Sequence, residues 1–328
     1  MKVEVTEFEK VYSFELQPIT QLCGQNVIKK TYILESLRRY FSSYKYQEGQ
    51  DKWQDNVKIN NSVVGRKYFK ILSIKGIDDI VNTIKCSKQS LMNEYLKQLI
   101  QQFEFQQHMN NINNELDEIF GILNNDINSI GNVELDYSIA DTWDMVQKSD
   151  ISGIDQTRID NMSNYELIDI MMNLIEKVMG YVPRKEIIIF ENIDHLLRAD
   201  EYALIIERAK NIVKTFDIYF IFSTSIDGYV ESDSDILEGV VVFGETDFQM
   251  PELTDIIRFV HDNYPSNKKI SEEKLKSILK RIIHRIGRMD YLCTIEENVV
   301  CKIINQSLMM YDCFKCEETL LERTFLMS

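Results

Sequence analysis

The 328-residue sequence has few of the residues that interrupt regular structure, since it contains 12 glycines and 4 prolines. So small a number disfavours turn-rich β-sandwiches and disordered linkers and predicts long helices joined by short loops. The sequence also lacks any apolar run near the roughly 18 to 20 residues that a membrane helix needs. Its apolar runs, such as residues 186–190, have the length of a β-strand. These absences exclude a transmembrane protein and predict no membrane partner.

A hydrophobic secretion signal is missing as well, because the N-terminal residues MKVEVTEFEK alternate charged and apolar side chains. Six cysteines in a long chain without such a signal are more typical of reduced thiols than of a disulfide framework. We therefore expect an intracellular, cytoplasmic protein in a reducing compartment.

Positive charge is scarce, with 37 basic against 52 acidic residues and a net charge of -15. This balance excludes a surface that attracts nucleic acid everywhere, so any DNA contact must be local. The charge is also uneven along the chain. Residues 115–176 hold fourteen acidic and two basic residues, whereas residues 268–290 hold eight basic and three acidic ones.

Four short apolar segments have the β-branched and aromatic content of buried strands. They are Tyr12–Leu16, Ile19–Cys23, Ile187–Phe190 and Ile218–Phe222. Residues 31–41 and 201–215 have the apolar spacing of helices, and each follows one of these strands. Strand, helix and strand in this order predict parallel crossover connections and an α/β fold.

Strand patterns are missing between about residues 78 and 180, where helical patterns dominate. We therefore expect an α-helical domain at residues 78–180, inserted into an α/β domain made of residues 1–77 and 181–250. Helical patterns continue after Pro251 and predict a helical C-terminal extension at residues 251–328.

The turn after the second strand is similar to a phosphate-binding loop. Residues Gly24 to Thr31 fit the pattern G-x-x-x-x-G-K-S/T, except that Lys29 replaces the second glycine. Lys30 and Thr31 occupy the positions whose side chains reach the outer phosphates and the magnesium ion in a working loop. A side chain at the second glycine obstructs the close approach of the backbone to the anion. The pattern therefore indicates a degenerate phosphate loop.

A nucleotide hydrolase also needs acidic residues at the end of a second strand. After the strand at residues 187–190, Glu191 replaces the expected aspartate and Asn192 replaces the expected catalytic glutamate. An amide cannot accept the proton of the attacking water. Three interpretations stay open: an ATPase relic without chemistry, an active P-loop nucleotide hydrolase in DNA metabolism, and binding of a nucleotide or phosphate without turnover. The helix N-terminus beside Lys29 and Lys30 favours anions and supports the last of these.

Together these features resemble the accessory spacer-acquisition protein of type II-A CRISPR loci, the Csn-two family, in its long form. The resemblance covers roughly residues 1–250 and rests on the order of several segments. These are the altered loop with Tyr32–Leu37 after it, the acidic insertion around Val133–Tyr137, and the strands Lys185–Phe190 and Ile218–Phe222. The C-terminal block is what distinguishes the long form from the short one.

The resemblance implies a fold and an activity. The expected fold is a degenerate P-loop ATPase-like head with a parallel sheet and an inserted α-helical leg domain. The expected protein is not an enzyme, has no nucleotide turnover, and forms a homotetrameric ring that threads over the ends of double-stranded DNA. Members are required for acquiring new spacers together with the CRISPR integrase pair and the effector nuclease.

The resemblance also implies a calcium site, because some members bind calcium through acids of the helical domain. The matching positions in this sequence are Glu134, Asp136, Asp141 and Asp144. Calcium takes six to eight oxygen ligands in loose geometry, but the spacing here is not that of an EF-hand. A solvated acidic helix face is the alternative.

A ring would let an acidic protein bind DNA, because several copies of a small basic patch converge on one hole. Contacts to phosphates are independent of sequence and weaken with salt. Three basic clusters are candidates: Lys29 and Lys30; Arg66, Lys67 and Lys70; and Lys268, Lys269, Lys274, Lys276, Arg281 and Arg285. The third cluster could instead pair with the acidic insertion of a neighbouring subunit. A solvated face is the alternative for each cluster, and a scaffold without DNA binding is a further functional alternative.

Overall fold

The computed structural model describes residues 1–42, 55–130, 134–135, 149–244, 247–266, 270–287 and 294–308. The chain forms two compact units. The first consists of Met1–Lys75 with Arg184–Ser328, and the second of Gly76–Pro183.

The first unit begins with a small antiparallel sheet made of β1 (Lys2–Glu7), β2 (Lys10–Glu15) and β4 (Val57–Ile59). Strand β1 lies in the middle and pairs with both others. Val3 and Val5 are fully buried, whereas Glu4 between them is partly exposed. This period of two is what a strand with one covered face requires.

Among the described residues, a six-stranded sheet lies at the centre of the first unit. In spatial order its strands are β5 (Lys70–Ile74), β6 (Glu186–Glu191), β7 (Ile218–Ser223), β3 (Ile19–Cys23), β8 (Val240–Val242) and β9 (Phe248–Gln249). All neighbours are parallel except β8 and β9. Strands β3, β6 and β7 are buried almost throughout, as expected for parallel strands covered on both faces. The predicted α/β fold with a parallel sheet is confirmed.

Five α-helices lie in the described part of the first unit. They are α1 (Val27–Tyr40), α6 (Ala199–Val213), α7 (Leu253–Asn263), α8 (Glu272–Ile282) and α9 (Ile295–Ser307). Helix α1 begins four residues before the predicted helix, because the Asn26 side chain accepts the Lys29 amide and caps it. Helices α7 to α9 share an apolar cluster with Cys23, Val240 and Val242. The described helices after Pro251 therefore pack in one core with the sheet.

The described part of the second unit is built from α2 (Ile77–Ile84), α3 (Leu91–Ile100), α4 (Phe103–Ile127) and α5 (Asn164–Tyr181). Helix α5 starts at a capping box of Ser163 and Glu166, and it buries eight apolar side chains. Helix α4 is longer, with 25 residues, yet Met109 is its only buried one. Across the described part of the chain, every helix is too short or too polar to cross a lipid bilayer.

Candidate phosphate loop and nucleic-acid interface

The loop that follows β3 is held against the end of β8. Gly24 has a φ of +92°, in the region that favours glycine, and an added Cβ would lie 2.5 Å from the Phe243 carbonyl oxygen. The Phe243 amide donates to the Cys23 carbonyl (2.9 Å), and the Asn26 amide donates to the Phe243 carbonyl (2.9 Å). The glycine is thus required by a close backbone contact within the protein.

In a working phosphate-binding loop, backbone amides donate to the phosphate. In this loop, most of those amides donate to acceptors within the protein. The Lys29 amide donates to Asn26 Oδ1 (3.0 Å), and the Lys30 amide donates to the Asn26 carbonyl (3.2 Å). The Val27 amide donates to the Gln25 carbonyl (3.0 Å). Asn26, Val27, Ile28 and Lys29 are the four positions whose amides the start of α1 leaves without a helix partner, and three of them, Asn26, Val27 and Lys29, already donate to other protein acceptors.

Lys30 is buried, with 3% of its surface exposed. Its Nζ donates to the Thr224 carbonyl at 2.6 Å, just beyond β7. Burial lowers the pKa of Lys30, and the neighbouring Cys23 and Asp194 oppose this shift. Burial and the bond to the Thr224 carbonyl argue against a DNA contact of Lys30, because its ammonium is turned into the protein. Thr31 is exposed on the outside of α1.

Lys29 is bound within the chain as well. Its Nζ lies 2.9 and 3.1 Å from the two carboxylate oxygens of Asp247 and 3.3 Å from the Gly244 carbonyl. The same ammonium lies 5.7 Å from the centre of the Tyr12 ring. One fifth of the Lys29 side chain is exposed. The residue that replaces the second glycine thus ties α1 to the β8–β9 connection, and Asp247 carries no sequence signal for this contact.

The acidic end of β6 also has partners in the protein. Ser73 Oγ donates to Glu191 Oε1 at 3.2 Å, and Lys75 Nζ lies 3.8 Å from the same oxygen. Asn192 follows in the left-handed region, with a φ of 52°, and is exposed. These contacts give Glu191 a neutral hydroxyl and an ammonium as neighbours.

Beyond β6, Asp194 binds the turn after β7. It accepts hydrogen bonds from the Ser225 amide (2.9 Å) and the Ser225 hydroxyl. Its carboxylate therefore holds the segment whose Thr224 carbonyl accepts Lys30, so this polar network is internal to the fold.

The basic residues of α8 form ion pairs within the first unit. Lys276 Nζ lies 2.8 Å from Glu272 Oε1. Lys274 pairs with Glu296 of α9, and Lys280 pairs with Glu231. Because each base has a carboxylate beside it, the local field of this face is weaker than its count of lysines suggests.

Arg281 continues this pattern, whereas Arg285 contacts a histidine. Arg281 pairs with Glu297, which is buried and also accepts the Thr294 amide (2.8 Å) as part of the capping box of α9. Burial raises the pKa of Glu297. Hydrogen bonds from the Thr294 amide and the Arg281 guanidinium lower the pKa by more, so the net shift is downward. Arg285 Nε donates to His284 Nε2 at 3.2 Å. Lys268 and Lys269 lie outside the described residues.

Arg66, Lys67 and Lys70 are brought together on the surface. All three are exposed, and they line one open cleft of about 390 Å³ with Phe41, Ser42 and Phe69. This cleft presents the second predicted basic cluster to solvent.

The predicted calcium ligands fall mostly outside the part of the chain that the structure describes. Glu134 is exposed, whereas Asp136, Asp141 and Asp144 lie outside the described residues. Within the described ranges, no group of three or more His, Cys, Asp or Glu side chains is arranged to hold a metal ion. The calcium site stays a prediction.

Comparison with known proteins gives a family and a fold. The family model of the CRISPR-associated protein Csn2 subfamily St matches residues 6–326. The crystal structure of Stu0660 of Streptococcus thermophilus has a TM-score of 0.86 and 21% sequence identity to this chain. The match covers 99% of this chain and 100% of that one, and at this identity it shows a shared fold. No curated protein matches the sequence.

Proposed function

Because this chain belongs to the Csn2 subfamily St of CRISPR-associated proteins, we propose that it binds the ends of double-stranded DNA without catalysis while new spacers are acquired. The family predicted from the sequence is confirmed, and membership of this family implies a CRISPR-associated role for the protein. In this proposal the protein is a cytoplasmic homotetrameric ring, and it works beside the CRISPR integrase pair and the effector nuclease.

The observation that carries the proposal is the exposed cleft of Arg66, Lys67 and Lys70. Three basic side chains spaced over five residues can contact successive phosphates of one backbone without reading its sequence. In a ring, each subunit would add one such cleft to the wall of the hole. A local field of this kind would attract DNA to a protein with a net charge of -15.

The state of the phosphate loop supports the absence of turnover. Lys30 donates to the Thr224 carbonyl and Lys29 to Asp247, so both ammonium groups are already bound. Asn192 stands where a hydrolase needs a carboxylate to activate water. We propose that the six-stranded sheet and the Gly24–Thr31 segment are the relic of an ATPase core. The proposal also includes an ATPase-like head domain, a helical leg domain and bound calcium.

Topology offers the sharpest test of end binding. Purified protein is incubated with a linear duplex and with a closed circular duplex of the same sequence, and each mixture is then washed with high salt. In one sample of the linear duplex, both ends are blocked after loading and before the wash. A ring that enters at DNA ends should stay only on this blocked linear duplex, and it should not load onto the closed circle. Equal retention on both duplexes would contradict end binding.

Nucleotide turnover tests the alternative of an active hydrolase. We expect no release of phosphate from ATP or GTP with magnesium, with or without DNA. Turnover in the wild-type protein that disappears in Lys30→Ala would establish a hydrolase and overturn the proposal. A protein that binds neither duplex at low salt would instead support a scaffold.

A further inference from the structure

The cleft of Arg66, Lys67 and Lys70 has a further basic neighbour from a distant part of the chain. The Lys70 amide donates to the Lys185 carbonyl at 3.0 Å, at the point where β5 and β6 begin side by side. The pairing of these two strands therefore brings Lys185 to the amino edge of the sheet, beside the cleft. Local sequence gives no sign of this neighbour, because β5 and β6 lie far apart in the chain.

Aromatic side chains connect Lys185 to the cleft. Phe69 lines the cleft and packs edge to face against Tyr68, with ring centres 4.8 Å apart, and against Tyr219, with ring centres 5.8 Å apart. Lys185 Nζ lies 5.2 Å from the centre of the Tyr68 ring. An ammonium group at this distance is attracted by the electrons of the ring. The Tyr68 ring therefore keeps the Lys185 ammonium at the border of the cleft.

Asp217 faces the same ammonium group. Lys185 Nζ lies 3.6 Å from Asp217 Oδ2, and the two side chains are 44% and 49% exposed. Asp217, followed by Tyr68, raises the pKa of Lys185, so the amine stays protonated at neutral pH. An ion pair as open as this one contributes little to stability, because water screens both charges. Lys185 can therefore exchange Asp217 for another anion at small cost.

The ion pairs of α8 are less open to such an exchange. Glu297, the partner of Arg281, is buried and also accepts the Thr294 amide. A phosphate that drew Arg281 away would leave a buried carboxylate with one partner fewer, which is costly. A phosphate that drew Lys185 away would leave Asp217 in contact with water.

We propose that Lys185 is a further phosphate contact of the DNA-binding cleft and that Asp217 competes with DNA for its ammonium group. When DNA binds, Lys185 would turn from Asp217 to a phosphate, and Asp217 would stay close enough to limit the affinity. The inference rests on the proposed DNA binding. It adds one residue that strengthens the contact and one that weakens it.

Three variants test the inference in titrations of a labelled linear duplex at several salt concentrations. Lys185→Ala should weaken binding by about fivefold at low salt and make the slope of log K against log salt shallower by roughly 0.9, as for one lost phosphate contact. Asp217→Asn should strengthen binding by about threefold, because Lys185 no longer has to leave a carboxylate and one negative charge beside the phosphate disappears. In the Lys185→Ala background, Asp217→Asn should give a gain of less than about twofold, because only the second of these effects remains.

An ion pair at the start of α6 provides the matched control. The side chains of Arg198 and Asp200 are 76% and 74% exposed, and Arg198 Nε lies 3.7 Å from Asp200 Oδ1. Arg198→Ala and Asp200→Asn remove the same charges as the two test variants. Each should change DNA affinity by less than about twofold, because only the screened long-range field is altered. Circular dichroism verifies that every variant is folded.

The outcomes separate this inference from the proposed function. If Asp217→Asn binds DNA no better than the wild type, or if the control pair has the same effects as Lys185 and Asp217, the inference is overturned. The cleft itself would still stand if the combined alanine variant of Arg66, Lys67 and Lys70 loses affinity. A wild-type protein that does not bind DNA, or one that binds equally well without these three bases, would overturn the proposed function and this inference together.

Discussion

The basic residues of α8 and those of the Arg66–Lys70 cleft look equivalent in the sequence but differ in their surroundings. On α8, Lys274, Lys276 and Arg281 each pair with a carboxylate of the same unit. In the cleft, Arg66, Lys67 and Lys70 line open space. The first set is paired with carboxylates, and the second set lines an open cleft.

The difference shows that a count of lysines and arginines does not measure the field that a ligand meets. A phosphate approaching Arg281 also meets Glu297, so attraction and repulsion partly cancel. A phosphate approaching the cleft meets three bases within one short segment. Substitutions in the two regions should therefore change different properties, namely DNA affinity in one and stability in the other.

The largest effect is expected from Arg66→Ala, Lys67→Ala and Lys70→Ala combined. We predict a loss of DNA affinity on the order of 100-fold at low salt, because three phosphate contacts disappear from each subunit. The slope of log K against log salt should become shallower by roughly 0.9 for each lost contact. Titration of a labelled duplex at several salt concentrations measures both quantities.

The control for the cleft variant replaces Lys88, Lys177 and Lys214 by alanine. These three residues are exposed and scattered, and the change in net charge is the same. We expect DNA affinity to change by less than about threefold, since only the screened long-range field is altered. If the control variant loses as much DNA affinity as the cleft variant, then total charge, and not the cleft, drives binding.

The next effect is on folding and comes from Glu297→Ala. Removing this buried carboxylate leaves the Thr294 amide without its capping acceptor and Arg281 without its partner. We predict a loss of about 2 kcal/mol in the free energy of unfolding at neutral pH. Glu207→Ala, at an exposed partner of Lys210, should change it by less than about 0.5 kcal/mol. Urea unfolding of both variants gives the comparison.

The pH dependence of Glu297→Ala has a definite sign. Because the folded-state pKa of Glu297 is lowered, its stabilisation is present above the ordinary glutamate pKa and is lost as the pH falls through the folded-state value. The difference in unfolding free energy between the wild type and Glu297→Ala should therefore shrink on acidification. A difference that grows as the pH falls would contradict the assigned role of this carboxylate.

The smallest effect is predicted for Lys30→Met, which extends the comparison to a buried base. Methionine fills a similar volume and removes the cost of burying an ammonium, but it leaves the Thr224 carbonyl without the Lys30 donor. We expect a change of about 1 kcal/mol or less in unfolding free energy and less than about twofold in DNA affinity. A large loss of DNA affinity with intact folding would restore Lys30 to the interface.

Much of the sheet can be predicted from local sequence. The runs at Ile187–Phe190 and Ile218–Phe222 are apolar throughout, because both faces of β6 and β7 are covered. Strand β3 is covered on both faces too, although it includes the buried polar residues Thr20 and Gln21. Strand β1 was not among the predicted strands, although Val3 and Val5 alternate with charged or polar residues in the N-terminal segment. The short strand β8 has three residues and gives no periodic signal.

The candidate site was harder to predict, because its contacts join residues far apart in the chain. The loop composition indicated a degenerate site, but nothing local shows that Asp247 binds Lys29 or that Thr224 accepts Lys30. The same holds for α8, whose amphipathic pattern was visible while the pairing of Lys280 with Glu231 was not. The capping box of Thr294 and Glu297 is the exception, since its spacing is readable directly.

The close fit of Gly24 against Phe243 has a consequence for timing. If the loop binds no nucleotide, as proposed, its own backbone contacts fix its conformation, and a change in the nucleotide supply cannot alter it. If the protein loads onto DNA as proposed, the moment of loading and release must be decided outside this loop, by the supply of broken DNA and by the proteins that meet it there.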